Sequence, residues 1–198
     1  MIIRTFAALA AAFLAAATAS AGSFSFTGNL AHDNSLAPVA FHVGTGGVVD
    51  LTSLGFAGGI NARGQTIAAG GFDTVLSLYD STGTGIAFSD DGATAKADAT
   101  GHASDAGLSI NLAPGTYTAY LTQYSNFGAL LLTNGFAFDG VPDFAGGFID
   151  SHGNQRDSHY ALDIVGAGVV SAPEASSVAV LLAGLGVLGF AARRRRGA

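Results

Sequence analysis

The chain has 198 residues, of which only 11% are charged, and a formal net charge of −6. Between Gly22 and Ser171 stand 13 Asp and no Glu, against three bases, Arg63, Lys96 and Arg156, so this stretch alone carries a net charge near −10. Such a surface repels phosphate backbones and excludes a nucleic-acid partner. There are no cysteines, which removes disulfides, thiolate chemistry and Cys-based metal centres. The 29 glycines, scattered among Asp, Asn, Ser and Thr between short apolar runs, point to many tight turns and an all-β domain.

In chain order, the first 21 residues read as a secretory signal peptide: Arg4, an apolar run from Phe6 to Ala17, then Ala19-Ser20-Ala21 before Gly22. Signal peptidase is the partner this implies. A strand follows near Ser23–Phe26. In PVAFHV, Val39, Phe41 and Val43 fall on one face and His42 on the other. In VVDLTSL, Val49 and Leu51 oppose Asp50 and Thr52. The run from Val75 to Tyr79 is apolar on both faces, as expected of an interior strand. Leu108, Ile110 and Leu112 alternate, Pro114-Gly115 turns the chain, and Tyr117, Ala119 and Leu121 alternate again, which reads as a strand pair. Tyr160, Leu162 and Ile164 mark a further strand. The sum is a β-sandwich of about eight strands over residues 22–165, with a small-residue linker at 166–172. Residues 126–158, rich in Gly, Asn, Asp and Phe, read as a long ordered loop.

The C-terminal segment, residues 173–198, reads as a short apolar helix with an Arg cluster. Val178–Ala192 is apolar and glycine without interruption, but fifteen helical residues reach only about 22 Å, short of a ~30 Å hydrocarbon core. Arg193, Arg194, Arg195 and Arg196 hold that end in the cytoplasm, where Arg4 also starts. The intervening chain is therefore expected outside the inner membrane, transiently anchored.

Pro173-Glu174, the glycine-rich apolar stretch and the terminal arginines together resemble a PEP-CTERM sorting signal. The usual third residue of that motif is Pro, and here it is Ala175. The resemblance implies processing by an exosortase, a membrane-embedded cysteine transpeptidase of exopolysaccharide-producing Gram-negative bacteria. It also implies delivery to the outer surface or the extracellular polysaccharide matrix of a biofilm. Ahead of it, residues 24–165 are similar to bacterial pre-peptidase C-terminal (PPC) domains. The likeness rests on a strand ending in Tyr79-Asp80, an Asp90-Asp91-Gly92 loop, and a strand followed by Pro114-Gly115-Thr116-Tyr117. It implies a jelly-roll-like sandwich and supplies no catalytic residues.

No G-x-S-x-G or H-E-x-x-H is present. His102, Ser104 and Asp105 lie together in GHASDAG, but neighbours on one loop seldom face one another, and the stretch reads as a solvated turn rather than a triad. The only Glu is Glu174, so a glycosidase pair would need two Asp, and no spacing marks one. A non-enzymatic protein is the expectation. The one metal candidate is calcium held by Asp90 and Asp91 with Asp73, an oxygen-rich set without the EF-hand spacing. The turn-forming use of Asp and Gly explains the same residues without any ion. His159 and Asp163 share a strand face but lie about 13 Å apart, too far to hold one metal. Aromatic residues crowd the second half, among them Tyr117, Tyr120, Tyr124, Phe127, Phe136, Phe138, Phe144 and Phe148. They read mainly as core, with a sugar-stacking platform as the alternative; Trp, the strongest such platform, is absent. The alternative function these features support is a calcium-dependent carbohydrate-binding or adhesion module.

Overall fold

The computed structural model of the protein describes residues 21–141 and 147–171. The signal peptide, Phe144 and the segment from residue 172 onward, with Pro173, Glu174 and Arg193–Arg196, lie outside the described residues. Nine strands form two antiparallel sheets. The first sheet contains β1 (Ala21–Asn29), β10 (His159–Ala167), β3 (Gly47–Ser53) and β8 (Gly107–Leu112), in that spatial order. The second contains β11 (Val169–Ser171), β2 (Ala37–Val43), β9 (Gly115–Gln123), β6 (Thr74–Asp80) and β7 (Gly85–Ser89). A two-stranded hairpin, β4 (Gly59–Ile60) and β5 (Thr66–Ile67), stands apart. The only helix among the described residues is a 3-10 turn, Leu132–Asn134.

The sheets face each other through the residues whose alternation marks the strands. Val49, Leu51, Leu112, Leu162 and Ile164 from the first sheet meet Val39, Phe41, Val43, Leu76, Leu78, Ala119 and Leu121 from the second in one buried cluster. Each Val, Leu, Ile or Phe among them contributes about 1.5–3 kcal/mol by leaving water. The result is a β-sandwich, as the composition implies.

Connectivity differs from the sequence reading at two places. Pro114-Gly115 does not close a hairpin: β8 pairs with β3, and β9 pairs with β2 and β6, so this turn carries the chain from one sheet to the other. Both strands have an apolar inner face, and facing sheets satisfy that requirement as well as a hairpin does. The small-residue stretch from 166, read as a linker, completes the sandwich instead. Ala167 ends β10, Gly168 turns with φ +70°, and β11 crosses to pair with β2. Its small residues serve packing here, since a Cβ on Gly166 would lie 2.9 Å from the Val48 carbonyl oxygen.

β6 is buried on both faces for a reason outside the sheets. Leu76 and Leu78 point into the sandwich core, while Val75, Ser77 and Tyr79 point outward and are covered. The cover is the chain after β9. The Tyr79 hydroxyl donates to the Ala129 carbonyl at 2.8 Å, and Tyr79, Tyr120 and Phe136 pack ring against ring. The described part of the long loop is therefore a structured lid on the second sheet.

The strand directions give the sandwich two unlike ends. At one end the connections are tight: 44–46, 81–84, 113–114 and Gly168. At the other lie 30–36, 54–73 with its hairpin, 90–106 and the 124–158 region. Ala21 pairs with Ala167 at the tight end, so β1 begins there, and β11 starts at the same end and runs toward the loop end, Ser171 pairing with Phe41.

Candidate functional site at the loop end

The loops at the open end are fastened by buried carboxylates and one arginine. Asp105, only 4% exposed, precedes β8 and turns inward to the end of β3. Its Oδ1 accepts from the Ser53 hydroxyl (2.9 Å) and the Phe56 N–H (3.1 Å), and its Oδ2 accepts from the Ala57 N–H (2.9 Å). Ser53 Oγ in turn accepts from the Ala106 N–H at 2.8 Å. Where β3 stops pairing, its orphaned backbone donors need acceptors, and Asp105 supplies them. This corrects the reading of GHASDAG as a solvated turn, because Ser104 and Asp105 are both buried. It also removes the triad, because the Asp105 carboxylate is committed to Ser53 and the backbone.

Arg156 ties the 90–106 loop to the 147–158 segment. Its guanidinium reaches Asp98 Oδ2 through Nη1 at 2.6 Å and Asp150 Oδ2 through Nε and Nη2 at 2.8 and 2.7 Å. The group lies over the Phe56 ring, 4.0 Å from its centroid. Burial opposes ionisation of Asp98, but bonds from Thr100 and Arg156 outweigh it and hold that carboxyl well below the usual range. Asp150 is held low in the same manner, with Asn154, Arg156 and the His152 N–H prevailing over burial.

Asp73, 2% exposed, behaves oppositely. Burial pushes its carboxyl up, the charges of Asp91 and Asp150 add to that push, and bonds from Ser151 resist it. The Ser151 N–H reaches its Oδ2 at 3.0 Å. Asp91 is also pushed up, by burial and by Asp90, with His152 opposing. The structure thus brings Asp73, Asp90 and Asp91 into one electrostatic neighbourhood with Asp150 and His152. Among the described residues, however, no three His, Cys, Asp or Glu side chains converge to hold one ion. His102 and His152 stack with ring centroids 3.4 Å apart, joining the two loops beside this cluster.

The remaining sequence candidates separate. His159 and Asp163 take different partners: His159 Nδ1 meets Asp157, while Asp163 receives the Ser25 hydroxyl and the Ala62 N–H. Of the aromatics, Tyr117 and Phe136 are buried and Phe148 packs on the core. Tyr124 and Phe127 form an exposed edge-to-face pair with centroids 6.1 Å apart. Arg156 is the site residue the sequence reading passed over. Its signal was scarcity, because three bases among 13 Asp are natural hubs for ion pairing.

Residues 171–196 match the PEP-CTERM protein-sorting motif. Among solved structures, the chain is similar to the pre-peptidase C-terminal domain of a collagenase from Bacillus anthracis, at 14% identity and a TM-score of 0.37. That likeness covers 72% of this chain and 88% of that one. No curated protein matches the chain. No helix among the described residues is long and apolar enough to cross a membrane.

Proposed function

We propose that this is a non-catalytic β-sandwich protein exported across the inner membrane of a Gram-negative bacterium and delivered by an exosortase to the envelope or the extracellular polysaccharide matrix. The observation that carries the reading is the sorting-motif match at residues 171–196, which begins at Ser171, the last residue of the sandwich. In this account the signal peptide is removed before Gly22, and the short apolar segment parks in the inner membrane with Arg193–Arg196 in the cytoplasm. The exosortase then acts near Pro173-Glu174.

Fractionation of cells with and without the exosortase tests this reading. The protein should reach the surface or matrix only when the enzyme is present and collect in the inner membrane otherwise. Equal surface delivery in both strains contradicts it.

A second reading, calcium-dependent carbohydrate binding or adhesion through Asp73, Asp90 and Asp91, is favoured by one observation. Burial disfavours the charge on Asp73 while Asp91 and Asp150 add repulsion, and a bound divalent cation relieves both. Under this reading millimolar calcium raises the unfolding temperature, and Asp73→Asn abolishes the rise. An unchanged melt removes it.

A further inference from the structure

The β4–β5 hairpin is pinned to the outer face of the first sheet at two points. The Ala62 N–H donates to Asp163 Oδ2 at 2.7 Å, and His159 Nε2 donates to the Ala68 carbonyl at 3.0 Å. Beside these anchors lies a groove of about 520 Å³ between β5 and the end of β1. Thr27 and Asn29 line one side, Gln65 and Thr66 the other, with His159 and Tyr160 also contributing.

The polar chemistry of this groove is specific. Asn61 Oδ1 accepts the N–H groups of Arg63 and Gln65, so its Nδ2 is the donor to Gln65 Oε1 at 3.0 Å. That bond fixes the Gln65 amide and leaves its Nε2 with no hydrogen bond among the described residues. Asn29 Oδ1 accepts from Ser158 at 3.3 Å, which leaves the Asn29 Nδ2 open likewise. The Thr27 and Thr66 hydroxyls carry no side-chain hydrogen bond among the described residues. His159 is committed at both nitrogens, to Asp157 and to Ala68. The Tyr160 ring lies under Gly28 on the core face, opposite to Thr27 and Asn29, so what adjoins the polar groups here is backbone.

No Lys, Arg, Asp or Glu lines this groove, in a segment that carries 13 Asp. Without a cation it does not suit phosphate or uronate, and without a free carboxylate it does not suit a metal. Two open amide donors and two hydroxyls without a side-chain partner among the described residues match a ligand that is uncharged and rich in hydroxyls. We infer that the groove between β1 and the β4–β5 hairpin is a binding site for a neutral saccharide. Asn29 stands at the far end of a nine-residue strand from Ala21, about 26 Å away, so the groove belongs to the loop end of the sandwich. The inference deepens the matrix-association reading and rests on it only for where the saccharide comes from.

The test uses the full chain in a detergent without a sugar headgroup, titrated by calorimetry with cellotetraose, maltotetraose and xylotetraose, and with tetragalacturonate as the charged comparator. At least one neutral tetrasaccharide should bind, and the uronate should not. Gln65→Ala and Asn29→Ala, both at exposed positions, should each weaken binding about five-fold, the equivalent of one lost hydrogen bond. Asp50→Asn, at an exposed position of β3 outside the groove, should leave binding unchanged. Binding of no neutral probe, equal binding of the uronate, or indifference to both amide substitutions in variants that melt like the parent overturns the site. Because the titration does not depend on cleavage, its failure is separable from a failure of sorting.

Discussion

The two ends of the sandwich are held by different physics. At the tight end the turns are closed within themselves, by small residues and backbone geometry and, in 81–84, by Asp80 Oδ1 accepting from Thr82 and Thr84. Gly168 adopts φ +70°, and a Cβ on Gly22 would fall on the carbonyl oxygen of Val169. At the loop end long segments are held by charge and hydrogen bonds, with Asp105 on β3 and Arg156 between Asp98 and Asp150. Long irregular loops expose backbone groups that no ladder satisfies, and buried carboxylates are an economical supply of acceptors. The end at which β1 begins is thus simple, while chemical variety gathers at the opposite end.

Breaking the loop end should cost most at Asp105. Asp105→Ala orphans the Ser53 hydroxyl, the buried Phe56 N–H and the half-buried Ala57 N–H, the buried groups at about 1–3 kcal/mol each, and should consume most of the folding stability in a denaturant melt. Arg156→Met comes next. It strands the carboxylates of Asp98 and Asp150 at a cost of about 3 kcal/mol, lowering the unfolding temperature by roughly 10 °C for a domain of this size. A loss near zero would show that the hub is too wet to matter. At the tight end, Gly168→Ala should cost about 1–2 kcal/mol, because an L-residue is strained at that φ and the added Cβ crowds Thr45. Its melt should fall less than that of Arg156→Met, and the reverse order would undo the contrast between the ends.

The smallest effect has the opposite sign. The Asp73 carboxyl is raised in the folded state, so its charge is a burden at neutral pH that disappears as pH falls below the unfolded carboxylate value near ~4. Asp73→Asn keeps an acceptor for the Ser151 N–H and should raise the unfolding temperature by a few degrees at pH 7, with the gain vanishing below about pH 4. Asp98 and Asp150 are depressed instead, so their contribution is full above that range and is lost only as pH falls through their lowered values. In Arg156→Met this acid-sensitive part of the stability should shrink.

The strands were legible because alternation is a local signal. Val39, Phe41 and Val43, then Val49 and Leu51, then Leu162 and Ile164 all face the core as their spacing requires. Pairing was not legible, because an apolar inner face is the same whether the next strand lies beside it or across the sandwich. Pro114-Gly115 therefore looked like a hairpin and proved to be a crossing. The outward face of β6 shows in the sequence as an apolar run, but only the structure shows that Phe136 and Ala129 cover it. Asp105 was hidden by composition: a Gly-, Ser- and Asp-rich stretch reads as solvated until its acceptors are matched with the N–H groups of residues 56 and 57, 49 and 48 positions away.

The central claim is that the segment after Ser171 is an address that an exosortase reads and removes. The most direct measurement is the intact mass of the mature protein from cells with and without that enzyme. The account predicts a chain beginning near Gly22 that loses everything beyond about Pro173-Glu174 only when the exosortase is present. A full-length tail in both strains would contradict it and leave the apolar segment as a permanent anchor.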